Sequence, residues 1–432
     1  MKKKLLSLIL CLVMVAASVC MLVACDPTDD NGGGGGGGGG GGTVQNYDIT
    51  VWVGEGNKDL TAAQIAKFNS DNAGVNFNAR IEIVSEGKAI GDIEGKPTNS
   101  WPDVFCFAQD QLARAVKGNM LHTLNNDSVT AITSGNSADT VEATKIGSTI
   151  RAFPMTADNG YYMYYDKRVV KEEHLGSLED ILSDVEGYTD SNGIGRKFAM
   201  LLSATGGGWY ASSFFYATGC KSEWVTNENG GFTTYEDTFR SDAGVKALQG
   251  MQKILKSKAH EDSDKAATFS AAIPSAVVIS GIWDYNTAKD ALGDNLGIAP
   301  LPSFTVGTEK FQLVSYLGHK LVGIKPQGDA VRAYYLQKLV TYLTGAECQL
   351  ERFKQLGWGP SNTTLQSNSD VLASAALNAL AATKTTMQGQ YPDAWWADVL
   401  VMTQSAKTAG TDFDSLDGIL KTYKDQLSGY LS

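Results

Sequence analysis

The alternation of strands and helices at the start of the folded body constrains this chain more than any other feature. Tyr47-Asp48-Ile49-Thr50-Val51-Trp52-Val53 alternates and then meets Gly54, which predicts a strand running into a loop. Leu60 to Asn69 follows with helical spacing. Val75, Phe77, Ala79, Ile81 and Ile83 then alternate with Asn76, Asn78, Arg80 and Glu82 as a second strand. Asp103-Val104-Phe105-Cys106-Phe107 reads as a third, buried strand, with a helix from Gln109 to Met120 after it. Such alternation predicts a layered α/β lobe with a largely parallel sheet. Ligands of these sheets bind beyond the carboxyl ends of the strands. The loops Gly54-Glu55-Gly56 and Ala108-Gln109-Asp110 are therefore the first candidate binding segments.

The pattern continues. Tyr161-Tyr162-Met163-Tyr164-Tyr165-Asp166 is an aromatic strand, followed by a helical stretch from Lys167 to His174. Val277 to Gly281 and Gly297 to Pro302 carry further strands. Val314 to Ile324 reads as strand, Tyr334 to Thr344 as helix, and the remainder as mainly helical. The body of roughly 390 residues exceeds one ordinary core and suits two lobes. No single long linker divides it, so the lobes are expected to exchange segments.

The N-terminus reads as an export signal. Lys2, Lys3 and Lys4 precede an apolar run from Leu5 to Ala24, which ends in Leu22-Val23-Ala24-Cys25. Small Ala24 admits a signal peptidase, and the Cys25 thiol can take a diacylglycerol as a thioether. An uncleaved transmembrane helix has no need of either residue. Asp26 to Asn31 and the eleven glycines Gly32 to Gly42 follow. Glycine at that density buries no apolar surface and predicts a flexible tether of roughly 25 Å root-mean-square reach. These features place the protein on the outer face of the cytoplasmic membrane, lipid-anchored through Cys25.

The formal charge is −11, and it becomes more negative when Lys2, Lys3 and Lys4 leave with the signal. So acidic a body is a poor nucleic-acid partner, because phosphate neutralisation needs clustered Lys and Arg. Cys106, Cys220 and Cys348 are distant and odd in number, so they read as buried apolar residues rather than a disulfide framework. His122, His174, His260 and His319 are scattered, and Glu172-Glu173-His174 reads as a solvated surface rather than a metal site. No cofactor is implied.

At this point the sequence resembles the extracellular solute-binding proteins of ABC sugar importers, family 1, in the maltose- and maltodextrin-binding group. The resemblance spans nearly all of 47–432. It rests on Asp103-Val-Phe-Cys-Phe-Ala-Gln-Asp, Phe153-Pro154-Met155 followed by Tyr165-Asp166-Lys167, and the helix from Thr238 to Lys256. Ile279-Ser280-Gly281-Ile282-Trp283 and Gly357-Trp358-Gly359-Pro360-Ser361 complete it. It implies the α/β, two-lobe periplasmic-binding-protein fold (type II), with a cleft between lobes joined by crossing hinge strands. One lobe would comprise 46–156 plus 312–358, and the other 157–311 plus 359–432. It further implies a monomeric receptor that binds a carbohydrate, an oligosaccharide such as a maltodextrin, and delivers it to the transmembrane permease subunits of an ABC transporter.

A sugar offers apolar C–H faces and a rim of hydroxyls, so its site needs flat aromatic faces and planar polar side chains. By resemblance, Trp283 and either Trp395 or Trp396 occupy stacking positions, Phe107 stands where the maltose binders have tryptophan, and Asp110 matches a sugar-binding aspartate. Asp158 falls near a binding glutamate, and Trp209 and Tyr210 near a stacking tyrosine. Glu55, Gln109 and Tyr285 complete the candidate set. Adjacent helical residues point about 100° apart, so Trp395 and Trp396 cannot both face one core. Trp52, Trp101 and Trp224 read as structural. Gln109 and Gln111 depart from the family's histidine and arginine, and Gly206-Gly207-Gly208-Trp209 from its Glu-Pro-Tyr segment, which leaves the sugar's identity open.

Two other classes compete. A surface carbohydrate-active enzyme would use Asp110 and Asp158 as its carboxylate pair, but no GxSxG, HExxH or phosphate-loop pattern is present. A binding protein for an amino acid or metal would want an arginine clamp or a His cluster, which the candidate loops lack. The reading is of a binding protein, not an enzyme.

Overall fold

A computed structural model describes residues 44–431. The expected signal, Cys25 and the glycine run lie outside the described residues. Two sheets organise the body. In the first, Gln45–Val53 pairs parallel with Val75–Ile83, in register from Gln45 against Val75 to Val53 against Ile83. On its other edge it pairs parallel with Val104–Ala108. The crossover helix Lys58–Asp71 turns Leu60, Ile65 and Phe68 onto the sheet. Alternation then divides the core between the two faces: Val51, Val53, Val104 and Cys106 fall in one buried cluster, and Trp52, Phe105 and Phe107 in the other.

The expectation of a largely parallel sheet needs correcting, because both sheets are mixed. Ser315–Ile324 runs antiparallel to Val104–Ala108 and to Phe153–Asn159, and parallel to Thr385–Met387. In the second sheet, His260–Glu261, Lys197–Ala199 and Ser275–Ser280 are parallel, while Tyr162–Asp166 is antiparallel to both Ser275–Ser280 and Leu296–Ala299. Parallel pairing needs a long crossover between strands. The chain instead passes from Phe153–Asn159 in one sheet to Tyr162–Asp166 in the other through Gly160 and Tyr161 alone. A Cβ on Gly160 would lie 2.2 Å from the Tyr316 carbonyl oxygen, so only glycine lets the crossing strands approach this closely.

Helix limits follow capping. The helix expected from Thr238 begins at Asp242, where the Ser241 hydroxyl accepts the Gly244 N–H at 3.2 Å. The stretch Lys167 to His174, expected to be helical, is instead a turn and a single 3-10 turn at Glu172–His174. Asp166 takes the Arg168 N–H at 3.0 Å, an Asx-type contact that competes with helix initiation. Cys106, Cys220 and Cys348 are free and buried. Among the described residues, no group of three or more His, Cys, Asp or Glu side chains could hold a metal, and no helix is long and apolar enough to cross a membrane.

Candidate functional site

Four separate elements bring aromatic rings together where the two sheets meet. Trp209 stands on the helix Gly207–Ala217, Trp283 in the 3-10 turn Ile282–Asp284, Tyr316 on Ser315–Ile324, and Trp396 on the helix Asp393–Thr408. Trp209 stacks on Tyr316, with centroids 6.1 Å apart and planes 10° apart, and lies 6.2 Å from Trp283. Tyr316 meets Trp396 edge-on at 6.0 Å, and Tyr391 adds a further ring 5.0 Å from Trp396. The glycines before Trp209 make this band possible. A Cβ on Gly208 would fall 2.6 Å from the Trp396 carbonyl oxygen, so glycine lets the two helices touch and sets their indoles side by side.

Beside the rings lies a buried polar group. Lys320 is 4 % exposed, on the strand whose residues pair with Ala108 and Thr156 at that point. Its ammonium sits 3.7 Å from the centroid of Trp358, 5.5 Å from that of Trp283, and 3.5 Å from Glu86 Oε1. Asp158 is fully buried, and its Oδ2 accepts the Gly359 N–H. Burial raises the Asp158 carboxyl above the ordinary aspartate range, and the Lys320 charge draws it back. Trp209 Nε1 is buried without a hydrogen-bond partner, while the Thr156 hydroxyl faces the Asp158 carboxyl and Glu86 Oε1 faces the Lys320 ammonium. Since buried polar atoms are nearly always paired, the unpaired Trp209 indole N–H beside the loosely held oxygens of Asp158, Thr156 and Glu86 marks a place where a polar ligand can add hydrogen bonds.

Asp110 closes the other end. Its Oδ2 accepts the Trp396 indole N–H at 3.2 Å, and burial pushes its carboxyl up to about 6. Asp284 accepts the Ser280 hydroxyl at 2.6 Å, and burial raises it too.

The profile of the bacterial extracellular solute-binding protein family matches residues 63–381. The chain belongs to that family. The fold of this solute-binding protein is similar to that of solved structures in nearly their whole length. A structure with acarbose is 24 % identical and has a TM-score of 0.73, over 89 % of this chain and 99 % of that one. The maltodextrin-binding protein MalE1 of L. casei BL23, without ligand, is 19 % identical with a TM-score of 0.72, over 89 % and 100 %. The maltose/maltodextrin-binding domain MalE from Bdellovibrio bacteriovorus, bound to maltotriose, is 17 % identical with a TM-score of 0.71, again over 89 % and 100 %. No curated protein sequence matches the chain. The architecture is thus the α/β two-lobe solute-binding fold.

Several candidate residues of this solute-binding protein sit elsewhere than the resemblance implies. Trp395 is 0 % exposed, stacked on Tyr391, with its indole N–H given to the Tyr423 hydroxyl at 2.7 Å, so it is a core residue and Trp396 alone joins the band. Phe107 is buried against Phe105, and Tyr210 is buried with its hydroxyl on Asp264 at 3.0 Å. The Gln109 amide is committed, donating to the Gln388 carbonyl and accepting from His319. Tyr285 is half-buried and packs on apolar neighbours, and Glu55 is exposed, with no side-chain partner among the described residues. Glu86, Thr156, Tyr316, Lys320 and Trp358 carry the site but were not candidates. Lys320 had a signal, a lysine inside the apolar run Val314 to Ile324.

Proposed function

We propose that this protein is a membrane-anchored receptor that binds a carbohydrate, an oligosaccharide such as a maltodextrin, and delivers it to an ABC transporter permease. The observation that carries the reading is the band of Trp209, Trp283, Tyr316 and Trp396 beside buried polar atoms whose hydrogen bonding is incomplete, the Trp209 indole N–H foremost. Rings supply stacking faces for sugar C–H surfaces, and the indole N–H and these oxygens match a rim of hydroxyls. Neighbours of the same fold are described with acarbose and with maltotriose, which supports the same ligand class here. The band draws on elements from both sheets, so a ligand held there favours a closed arrangement that supplies both sets of contacts. Nothing in this role asks for covalent chemistry, and the protein acts as a receptor rather than an enzyme, as a monomer.

Calorimetry against oligosaccharides, amino acids and small anions tests the reading: binding of an amino acid or anion, with no sugar bound, overturns it. Trp283→Ala should weaken sugar binding by about 1–3 kcal/mol and leave the fold intact, since a partly buried stacking face is lost. Unchanged affinity would remove Trp283 from the site. Cys25→Ser should release the protein from the membrane fraction into the medium, and retention in the membrane would count against the lipid anchor.

A further inference from the structure

Away from the aromatic band, the helix Ala346–Leu356 carries Arg352, a guanidinium 2 % exposed. Its Nη2 donates to the Leu343 carbonyl at 3.1 Å, at the end of the preceding helix, and reaches Gln64 Oε1 at 3.5 Å. Nε and Nη1 have no partner. Among the described residues, no carboxylate forms an ion pair with Arg352. Asp158 and Glu351 act on it only from a distance, and Glu351 is engaged by the Gln64 amide at 3.0 Å. An unpaired buried charge is among the costliest arrangements a protein can hold.

Arg352 lines a cavity of about 20 Å³. Asn57, Thr61, Thr344 and Cys106 share its wall with aliphatic side chains, and no carboxylate lines it. Burial holds the Cys106 thiol up to about 12, so it supplies no negative charge near neutrality. Asn57 is buried, its side chain makes no hydrogen bond, and its Oδ1 is orphaned. Its amide can therefore turn over without losing a contact and present N–H to the cavity. The space exceeds the roughly 10–15 Å³ that one water-sized species needs and admits nothing much larger.

We propose that this cavity binds a single small monovalent anion of the halide class, held by Arg352 Nε and Nη1 and by the Asn57 amide. A water molecule would satisfy the N–H groups but leave the guanidinium charge uncompensated. An anion does both, and the absence of a carboxylate from the mainly apolar wall leaves nothing to repel it. The site ties the end of one helix, the start of Lys58–Asp71 and the first sheet together around one charge, and it is independent of the carbohydrate reading.

The test uses the full, sugar-free protein at constant ionic strength, exchanging chloride or bromide for methanesulfonate, which is too large for the cavity. Both halides should raise the melting temperature, rising with the logarithm of concentration above the dissociation constant and by about 2–4 °C at roughly tenfold that concentration, through binding to the folded state alone. Crystals grown in bromide should show anomalous density between Arg352 and Asn57. Arg352→Met should abolish the halide-specific rise. Should that variant fail to fold, the bromide density in the unaltered protein decides the question. Equal melting temperatures in all three salts, or a water peak in place of bromide, overturns the proposal and leaves the sugar-binding reading untouched.

Discussion

Lys320→Met should destabilise the protein by about 3–5 kcal/mol near neutral pH, because it strips an ammonium from a buried acidic neighbourhood. Lys320 is the cation nearest Glu86, at 3.5 Å, and its charge also favours the ionised form of buried Asp158. Methionine keeps most of the stem volume, so the packing on Trp283 and Trp358 changes little while the charge vanishes. The two carboxylates are then left in a low-dielectric site with orphaned oxygens. Adding Glu86→Gln to the Lys320→Met protein should recover a substantial part of the loss, since one uncompensated charge is removed. Urea unfolding of the two single variants and the double variant gives the coupling directly. A loss below about 1 kcal/mol, or no recovery on adding Glu86→Gln, would show that solvent already screens this cluster.

The same cluster shows why the fold was more legible than the site. Period-two alternation found Gln45–Val53 and Val75–Ile83 to within a few residues, and the continuous apolar run at 104–107 marked Val104–Ala108, which is buried on both faces. Periodicity also held the answer for two misplaced candidates. Trp395, Val399, Met402 and Ala406 recur at helical spacing and are all buried, which puts Trp395 on the core stripe and leaves Trp396 off it. Phe105 and Phe107 share one face of a strand and are buried together. Strand direction was not legible, because Gly160 lets the chain cross between sheets without a helix, and that close approach is visible only in three dimensions. Nor was the meeting of Glu86, Lys320 and Trp358, whose sequence separations carry no period. What brings them together is the antiparallel pairing of Ser315–Ile324 with its two neighbours.

Acidification should weaken the fold through His319 by about 3 kcal/mol between pH 6.5 and pH 4. The imidazole is 3 % exposed, and burial lowers it to about 4, offset slightly by the Asp139 charge. Its partners fix a neutral ring. Nδ1–H donates to Gln109 Oε1 at 2.9 Å, which can only accept, and Nε2 faces the Thr140 hydroxyl at 3.1 Å, itself already accepting from Ser137. Above about pH 6.5 both folded and unfolded chains hold a neutral imidazole, and His319 adds no pH dependence. Between 6.5 and 4 the unfolded chain binds the proton that the folded chain refuses, so stability falls as the pH drops and the full cost is reached near 4. Urea unfolding at pH 7 and pH 4.5 should therefore show a smaller acid loss in His319→Asn than in the unaltered protein, and the His319 ring proton in an NMR titration should stay at its neutral shift until the pH nears 4. An imidazole titrating near 6.5, or an acid loss that the variant shares in full, would mean that water reaches this ring, and with it the Gln109 amide that binds it to the strand end beside Asp110.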